Sequence, residues 1–191
     1  MLTEADVQSI FERSGALLWG HFLLTSGWHS DQYFQCALVL QYPEYTEMLC
    51  RELAARFSGE GIATVVGPAM GGIIVSYEVA RALGARSLFT EREDGVMKLR
   101  RGFSLEPGER VLVVEDVITT GGSVREVIEV VRNLGGEVRG AGVLVDRSGG
   151  TAELGVRTEA LLTTRATSYA PEECPLCKRG IPAVKPGSRK V

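Results

Sequence analysis

The chain contains no apolar run long enough to cross a membrane, and it does not open with a basic region followed by an apolar one. It also lacks an excess of either charge: 21 Lys and Arg stand against 24 Asp and Glu, a formal net charge of −3. A surface built for nucleic acid or anionic lipid needs a basic balance, so neither partner is expected beyond local basic patches. Cysteine is scarce, with four in 191 residues. That is too few for the disulfide framework of a small secreted domain, and a cytoplasmic location is expected. Histidine is scarcer still, His21 and His29 alone; in a strand-like stretch such residues are more often structural than catalytic. No internal repeat or low-complexity tract is present.

What remains is the composition of a soluble globular protein, 45% apolar and 24% charged, long enough for one domain with a substantial core. Its most informative run is VLVVEDVITTGGS, residues 111–123. Val111 to Val114 are short, mostly β-branched and continuous, the pattern of a strand buried on both faces of a parallel sheet. Glu115 and Asp116 follow where the strand is expected to leave the sheet. Thr119-Thr120-Gly121-Gly122-Ser123 comes next, and then a helical stripe of Val124, Val127, Ile128, Val131 and Leu134. Ser123 and Glu126 have capping-box spacing, and Gly135-Gly136 supplies the stop.

A helix N-terminus offers free N–H groups and partial positive charge, which suits a phosphate. Glycines let the backbone approach the anion without a β-carbon in the way. Carboxylates cannot hold a phosphate, so Glu115 and Asp116 need a different partner: sugar hydroxyls, or a divalent cation carried by the ligand. A phosphate beside a diol describes a ribose 5-phosphate. The run has neither the G-K-[ST] of a Walker loop nor G-x-G-x-x-G, so those readings fail. An ordinary strand-to-helix turn with exposed acids is the plainer alternative.

Glu115-Asp116-Val117-Ile118-Thr119-Thr120-Gly121-Gly122-Ser123 resembles the phosphoribosyl-pyrophosphate motif of type I phosphoribosyltransferases, and further motifs resemble the orotate branch of that family. The likeness runs from about Phe22 to Arg189. It implies an α/β fold, a mostly parallel central sheet flanked by helices, with a small hood over the base site. The whole chain would be one domain, its hood from about residues 1–40 and 165–191 and its core from 41–164. It also implies Mg²⁺ carried by the substrate near Glu115 and Asp116, with no metal held by protein side chains alone, and a homodimer.

Other stretches fill in that outline. Thr3-x-x-Asp6 starts a helix with Val7, Ile10 and Phe11 on its buried side. Residues 19–34 read as a polar hairpin with aromatics, similar to the hood segment of orotate enzymes; Phe34 is assigned to the base there, although many relatives carry lysine where this chain has Thr25. Pro43 begins a helix with Met48, Leu49, Leu53 and Phe57 as its stripe. Strand 62–66 leads into Gly67-Pro68-Ala69-Met70-Gly71-Gly72 and a helix to Leu83. This second glycine turn would take pyrophosphate through Met70, Gly71 and Gly72, where many orotate enzymes place a lysine at Gly71.

Residues 90–103 carry many charges and no helical stripe, so a long mobile lid is expected, with a solvated β-hairpin as the alternative. In the family the matching loop is basic and reaches the partner subunit's site. Arg92, Lys98 and Arg100 are assigned to pyrophosphate, with Arg101 available, and Lys98 joins Glu115 and Asp116 as catalytic. Strand 140–145 ends in Asp146-Arg147, and Arg147, with Thr119, is assigned to orotate, whose carboxylate or carbonyl a guanidinium can grip. Cys174 and Cys177 form a C-x-x-C, half a zinc site. Cys36 and Cys50 or a partner's pair could complete it; otherwise it is a solvent-facing turn. The activity implied is transfer of ribose 5-phosphate from phosphoribosyl pyrophosphate to orotate, the rivals being a purine phosphoribosyltransferase or a phosphoribosyl-pyrophosphate-sensing regulator.

Overall fold

The computed structural model describes residues 1–24, 26–165 and 167–186; the expectation about Thr25 and the likeness at 187–189 lie outside them. In chain order the elements are α1 (Glu4–Arg13), β1 (Leu17–Leu23), β2 (His29–Phe34), α2 (Ala37–Leu40), α3 (Pro43–Ala55), β3 (Thr64–Pro68), α4 (Gly71–Leu83), β4 (Arg86–Glu93), β5 (Val96–Leu99), β6 (Arg110–Ile118), α5 (Gly122–Asn133), β7 (Glu137–Asp146), β8 (Thr158–Thr163), β9 (Ser168–Tyr169) and α6 (Pro175–Lys178).

Six strands form the main sheet in the order β5-β4-β3-β6-β7-β8, parallel except for the β4–β5 pair. β6 lies at its centre, and Val111 to Val114 are wholly buried. Alternation sends Leu112 and Val114 to one face, packed with α1, α3 and α4, and Val111 and Val113 to the other, packed with α5. Each side chain withdrawn from water in this way contributes roughly 1.5–3 kcal/mol. Coverage of both faces explains why the strand reads as an unbroken apolar run.

The type I phosphoribosyltransferase-like architecture is therefore present: a mostly parallel sheet, flanking helices and a small second sheet. That second sheet is antiparallel, β1-β2-β9, and joins residues near the start of the chain to the tail. Val184 adds a bridge to Phe22. Although α1 lies inside the segment expected as hood, its Val7, Ile10 and Phe11 pack into the core beneath the main sheet. Its Thr3–Asp6 capping box forms as the sequence predicts.

Several local expectations need correction. The acids lie within β6, not after it. β6 pairs with β3 only as far as Val113, but continues along β7 through Ile118, so Glu115 and Asp116 sit on an overhang. Ser123 and Glu126 form no capping box: Gly121 is the N-cap of α5 and no side chain caps it. Leu134 and Met48 are exposed despite their stripe positions.

Residues 90–103 fold as the β4–β5 hairpin, with Met97 buried against the α5 side of the sheet. Asp94 and Gly95 both have positive φ, +53° and +82°, as a two-residue type I′ turn requires, and Asp-Gly is a preferred pair for it. The Cys174–Cys177 pair faces solvent only in part, Cys177 being exposed. Cys174 is fully buried, and the pair meets neither Cys36 nor Cys50 but His21 and His29.

Candidate active site

Parallel pairing of β3, β6 and β7 brings the ends of three strands to one edge, where open α/β sheets bind ligands. From β6 the chain turns through Thr119 and Thr120 to Gly121, then enters α5. Gly121 has φ +74°, and a β-carbon there would also run into Leu154. Only glycine satisfies both constraints. Since no side chain caps α5, its first amides face a cleft of about 250 Å³ lined by Glu115, residues 117–124, Arg92 and Glu126. Val117, Ile118, Thr119, Thr120, Gly121, Gly122 and Ser123 are thus brought together as the motif implies.

Glu115 is buried and Asp116 half-buried. The amide of Asp116 donates to Glu115 Oε1 (3.1 Å), and that of Val117 donates to Asp116 Oδ1 (2.8 Å). Burial pushes the Glu115 carboxyl well above its usual range, and the neighbouring negative charge of Asp116 pushes it further. Burial raises Asp116 as well, against the hydrogen bonds that it accepts. Behind the acids stands the start of α4. A β-carbon on Gly71 would overlap the Asp116 carboxylate, and one on Gly72 would crowd Pro68 and Glu115. The two glycine turns and the two acids are therefore one packed unit, with Met70 exposed at its rim.

A second cavity, about 380 Å³, opens beside the first, and Thr119 and Thr120 line both. Its walls include Leu23, Leu24, Tyr33, Arg147 and Ser168. Arg147 is only 9% exposed, yet its Nε and Nη2 find no hydrogen-bond partner among the described residues. The neighbouring Asp146 does not serve it, because that carboxylate accepts from the amides of Ser148 and Gly150. The guanidinium carbon instead sits 6.0 Å from the Phe34 ring centroid. Phe34 itself is buried against Phe11 and does not line this cavity. Strand alternation turns Tyr33 toward the cavity in its place, a parity that the sequence carries once β2 is bounded.

The hairpin cations are largely engaged by their own acids. Lys98 and Arg100 pair with Glu93, both at 2.8 Å, and Arg101 binds Glu91 at 2.7 Å. Arg92 alone reaches the cleft wall, where it pairs with Glu126 at 2.8 Å.

Comparison with known proteins agrees with this geometry. Residues 41–155 match the model of the phosphoribosyl transferase domain. Over 190 residues the chain is 74% identical to the orotate phosphoribosyltransferase of Pelotomaculum thermopropionicum, covering all of both chains. The chain belongs to the orotate phosphoribosyltransferases. Among solved structures of this family, the Aeropyrum pernix enzyme superposes with a TM-score of 0.67 at 30% identity, covering 82% of this chain and 93% of that one. The Mycobacterium tuberculosis enzyme in complex with phosphoribosyl pyrophosphate gives 0.66 at 25%, covering 84% and 95%. No helix among the described residues is long and apolar enough to cross a membrane.

Proposed function

We propose that the two adjoining cavities hold phosphoribosyl pyrophosphate and orotate side by side, so that ribose 5-phosphate passes from diphosphate to a ring nitrogen of orotate. The carrying observation is the buried guanidinium of Arg147, whose Nε and Nη2 have no partner among the described residues, in a cavity that shares Thr119 and Thr120 with the phosphate cleft. An anionic pyrimidine acid would supply the missing acceptors in bidentate fashion. A purine has no carboxylate to offer there.

In this reading the α5 amides and Thr119 to Ser123 grip the 5-phosphate. Glu115 and Asp116 accept from the ribose hydroxyls, and the turn at Met70, Gly71 and Gly72 faces the diphosphate. As the bond from the anomeric carbon to diphosphate breaks, positive charge gathers on the ribose ring beside the two acids, and the ring nitrogen of orotate bonds to that carbon as its proton leaves with the diphosphate. The β4–β5 hairpin lies beside the cleft and would keep water from the activated sugar.

Mg²⁺ fits this donor set. Two adjacent carboxylates are too few for an all-protein cage, and Mg²⁺ commonly completes its shell with substrate oxygens and water. When bound, it offsets negative charge on the leaving diphosphate. A homodimer completes the proposal: the family likeness has this hairpin reach the partner's site, and Lys98 and Arg100, paired on its exposed surface with Glu93, are the cations it would carry there. None of the four cysteines is in a disulfide, which is compatible with work in the cytoplasm.

The test is to mix the protein with Mg²⁺, phosphoribosyl pyrophosphate and orotate and to follow orotate absorbance. Loss of absorbance that requires all three, with no turnover of adenine or hypoxanthine, is expected. Turnover of a purine in place of orotate would overturn the assignment of Arg147.

A further inference from the structure

A second constellation lies away from the cleft, within the small sheet. His21 comes from β1, His29 from β2, and Cys174 and Cys177 from the start of α6. One ligand atom from each lies within 4.8 Å of all the others. Cys174 Sγ is 3.4 Å from His21 Nε2; Cys177 Sγ is 3.7 Å from that nitrogen and 3.2 Å from His29 Nδ1. The two nitrogens stand 2.8 Å apart. A tetrahedral zinc ion, with Zn–N about 2.0–2.1 Å and Zn–S about 2.3 Å, has ligand-to-ligand edges of roughly 3.3–3.8 Å. Two of the sulfur–nitrogen edges, 3.4 and 3.7 Å, fall in that range and a third, 3.2 Å, is just short of it; the nitrogen pair at 2.8 Å has to open by about half an ångström.

The surroundings support a metal over a chance cluster. His21 Nδ1 lies 2.6 Å from the carbonyl oxygen of Ile181. A carbonyl can only accept, so Nδ1 carries the proton and Nε2 turns its lone pair toward the sulfurs, the outer hydrogen bond that metal-bound histidines generally make. Cys174, His21 and His29 are 0%, 4% and 8% exposed, so their ligand atoms face one another rather than water.

We propose that His21, His29, Cys174 and Cys177 bind one zinc-class divalent ion in a closed tetrahedral site, and that this ion anchors the C-terminal tail to the small sheet. Four protein ligands leave no open position, so the role is structural. Among the described residues the tail's other ties are short ones, with Ser30 Oγ donating to the Thr167 carbonyl and His21 Nδ1 to that of Ile181. β9 is two residues long, α6 is four, and Val184 contributes two backbone bonds, to His21 and Leu23. Elements this short do not persist alone. Because Ser168 and Pro186 of this tail line the second cavity, the ion would also set the shape of the base pocket; that consequence rests on the reading of the cavity given above, whereas the metal site does not.

The test uses the untagged full chain purified under reducing conditions. About one zinc per chain is expected, and after exchange with Co²⁺ the absorption bands of tetrahedral, thiolate-bound cobalt. The Cys174→Ser/Cys177→Ser variant should lose the metal and raise the KM for orotate several-fold with little change in kcat. Cys177→Ser alone, at an exposed position, guards against misfolding of the double variant and should weaken Co²⁺ binding and shift its bands. Less than roughly 0.1 ion per chain with no cobalt–thiolate band would overturn the site, as would full metal content in the double variant. Metal loss with an unchanged orotate KM would leave the metal site standing and overturn only its effect on the base pocket.

Discussion

Gly71 and Asp116 are packed so closely that a single β-carbon on the glycine would overlap the carboxylate. The helix that begins the second glycine turn thus fixes the position of an acid on the neighbouring strand. Gly71→Ala should displace Asp116 while leaving the fold intact, since Gly71 is the first residue of α4 and the overlap is with a side chain rather than with backbone. A shift near 1 Å at a reacting centre can cost about 100-fold. That order of loss in kcat/KM is expected, with a melting temperature close to that of the parent.

Arg147→Ala separates binding from folding in another way. Charged hydrogen bonds are worth about 1.5–3 kcal/mol, so orotate should bind roughly 10- to 100-fold more weakly. The free protein should not lose stability, because the variant removes a buried group whose Nε and Nη2 have no partner among the described residues. Orotate titrations and thermal melts check the two halves; an unchanged KM for orotate would place the base elsewhere.

The buried acids also make a prediction about pH. A carboxyl whose proton affinity is higher in the folded state supports the fold in acid and opposes it as pH rises through its folded value. Burial raises Glu115 well above the usual carboxylate range. Glu115→Gln should therefore raise the melting temperature at neutral pH, and its advantage should vanish as pH falls toward the ordinary glutamate value. Each tenfold change in proton affinity is worth about 1.4 kcal/mol. Melting curves across that pH span would reject the idea if the advantage instead grew in acid.

The hairpin cations invite a complementation test. Lys98→Ala should melt like the parent, since its pair with Glu93 is exposed and such pairs contribute about 0–1 kcal/mol. Its turnover should nevertheless fall steeply. If Lys98 serves a partner's cleft, mixing this variant with inactive Asp116→Asn and allowing subunits to exchange should restore roughly a quarter of full activity, because half the dimers are mixed and each holds one intact site. No recovery, in subunits shown to exchange, would confine Lys98 to its own chain or remove it from the reaction.

Chain order alone carried the centre of the molecule well. The unbroken Val111–Val114 run and the glycines after Thr120 define β6, the turn and α5, because burial on both sheet faces and positive φ leave direct marks on residue type. Charge obscured the hairpin: Asp94-Gly95 was a turn signal within reach, but the surrounding Glu and Arg residues look the same in a solvated loop as in cross-strand ion pairs. The cluster at His21 was hidden by distance. Its cysteines lie some 150 positions further on, and nothing local tells a histidine which strand will carry it to them. Tyr33 and Phe34 differ only in strand parity, which is undefined until β2 has ends.

Two threonines form a party wall between the sugar-phosphate cleft and the cavity holding Arg147. An occupant that moves either threonine alters the neighbouring site as well, and the two sites are then coupled. Thermodynamic linkage then demands symmetry: whatever factor the phosphorylated sugar lends to pyrimidine affinity, the pyrimidine returns in full.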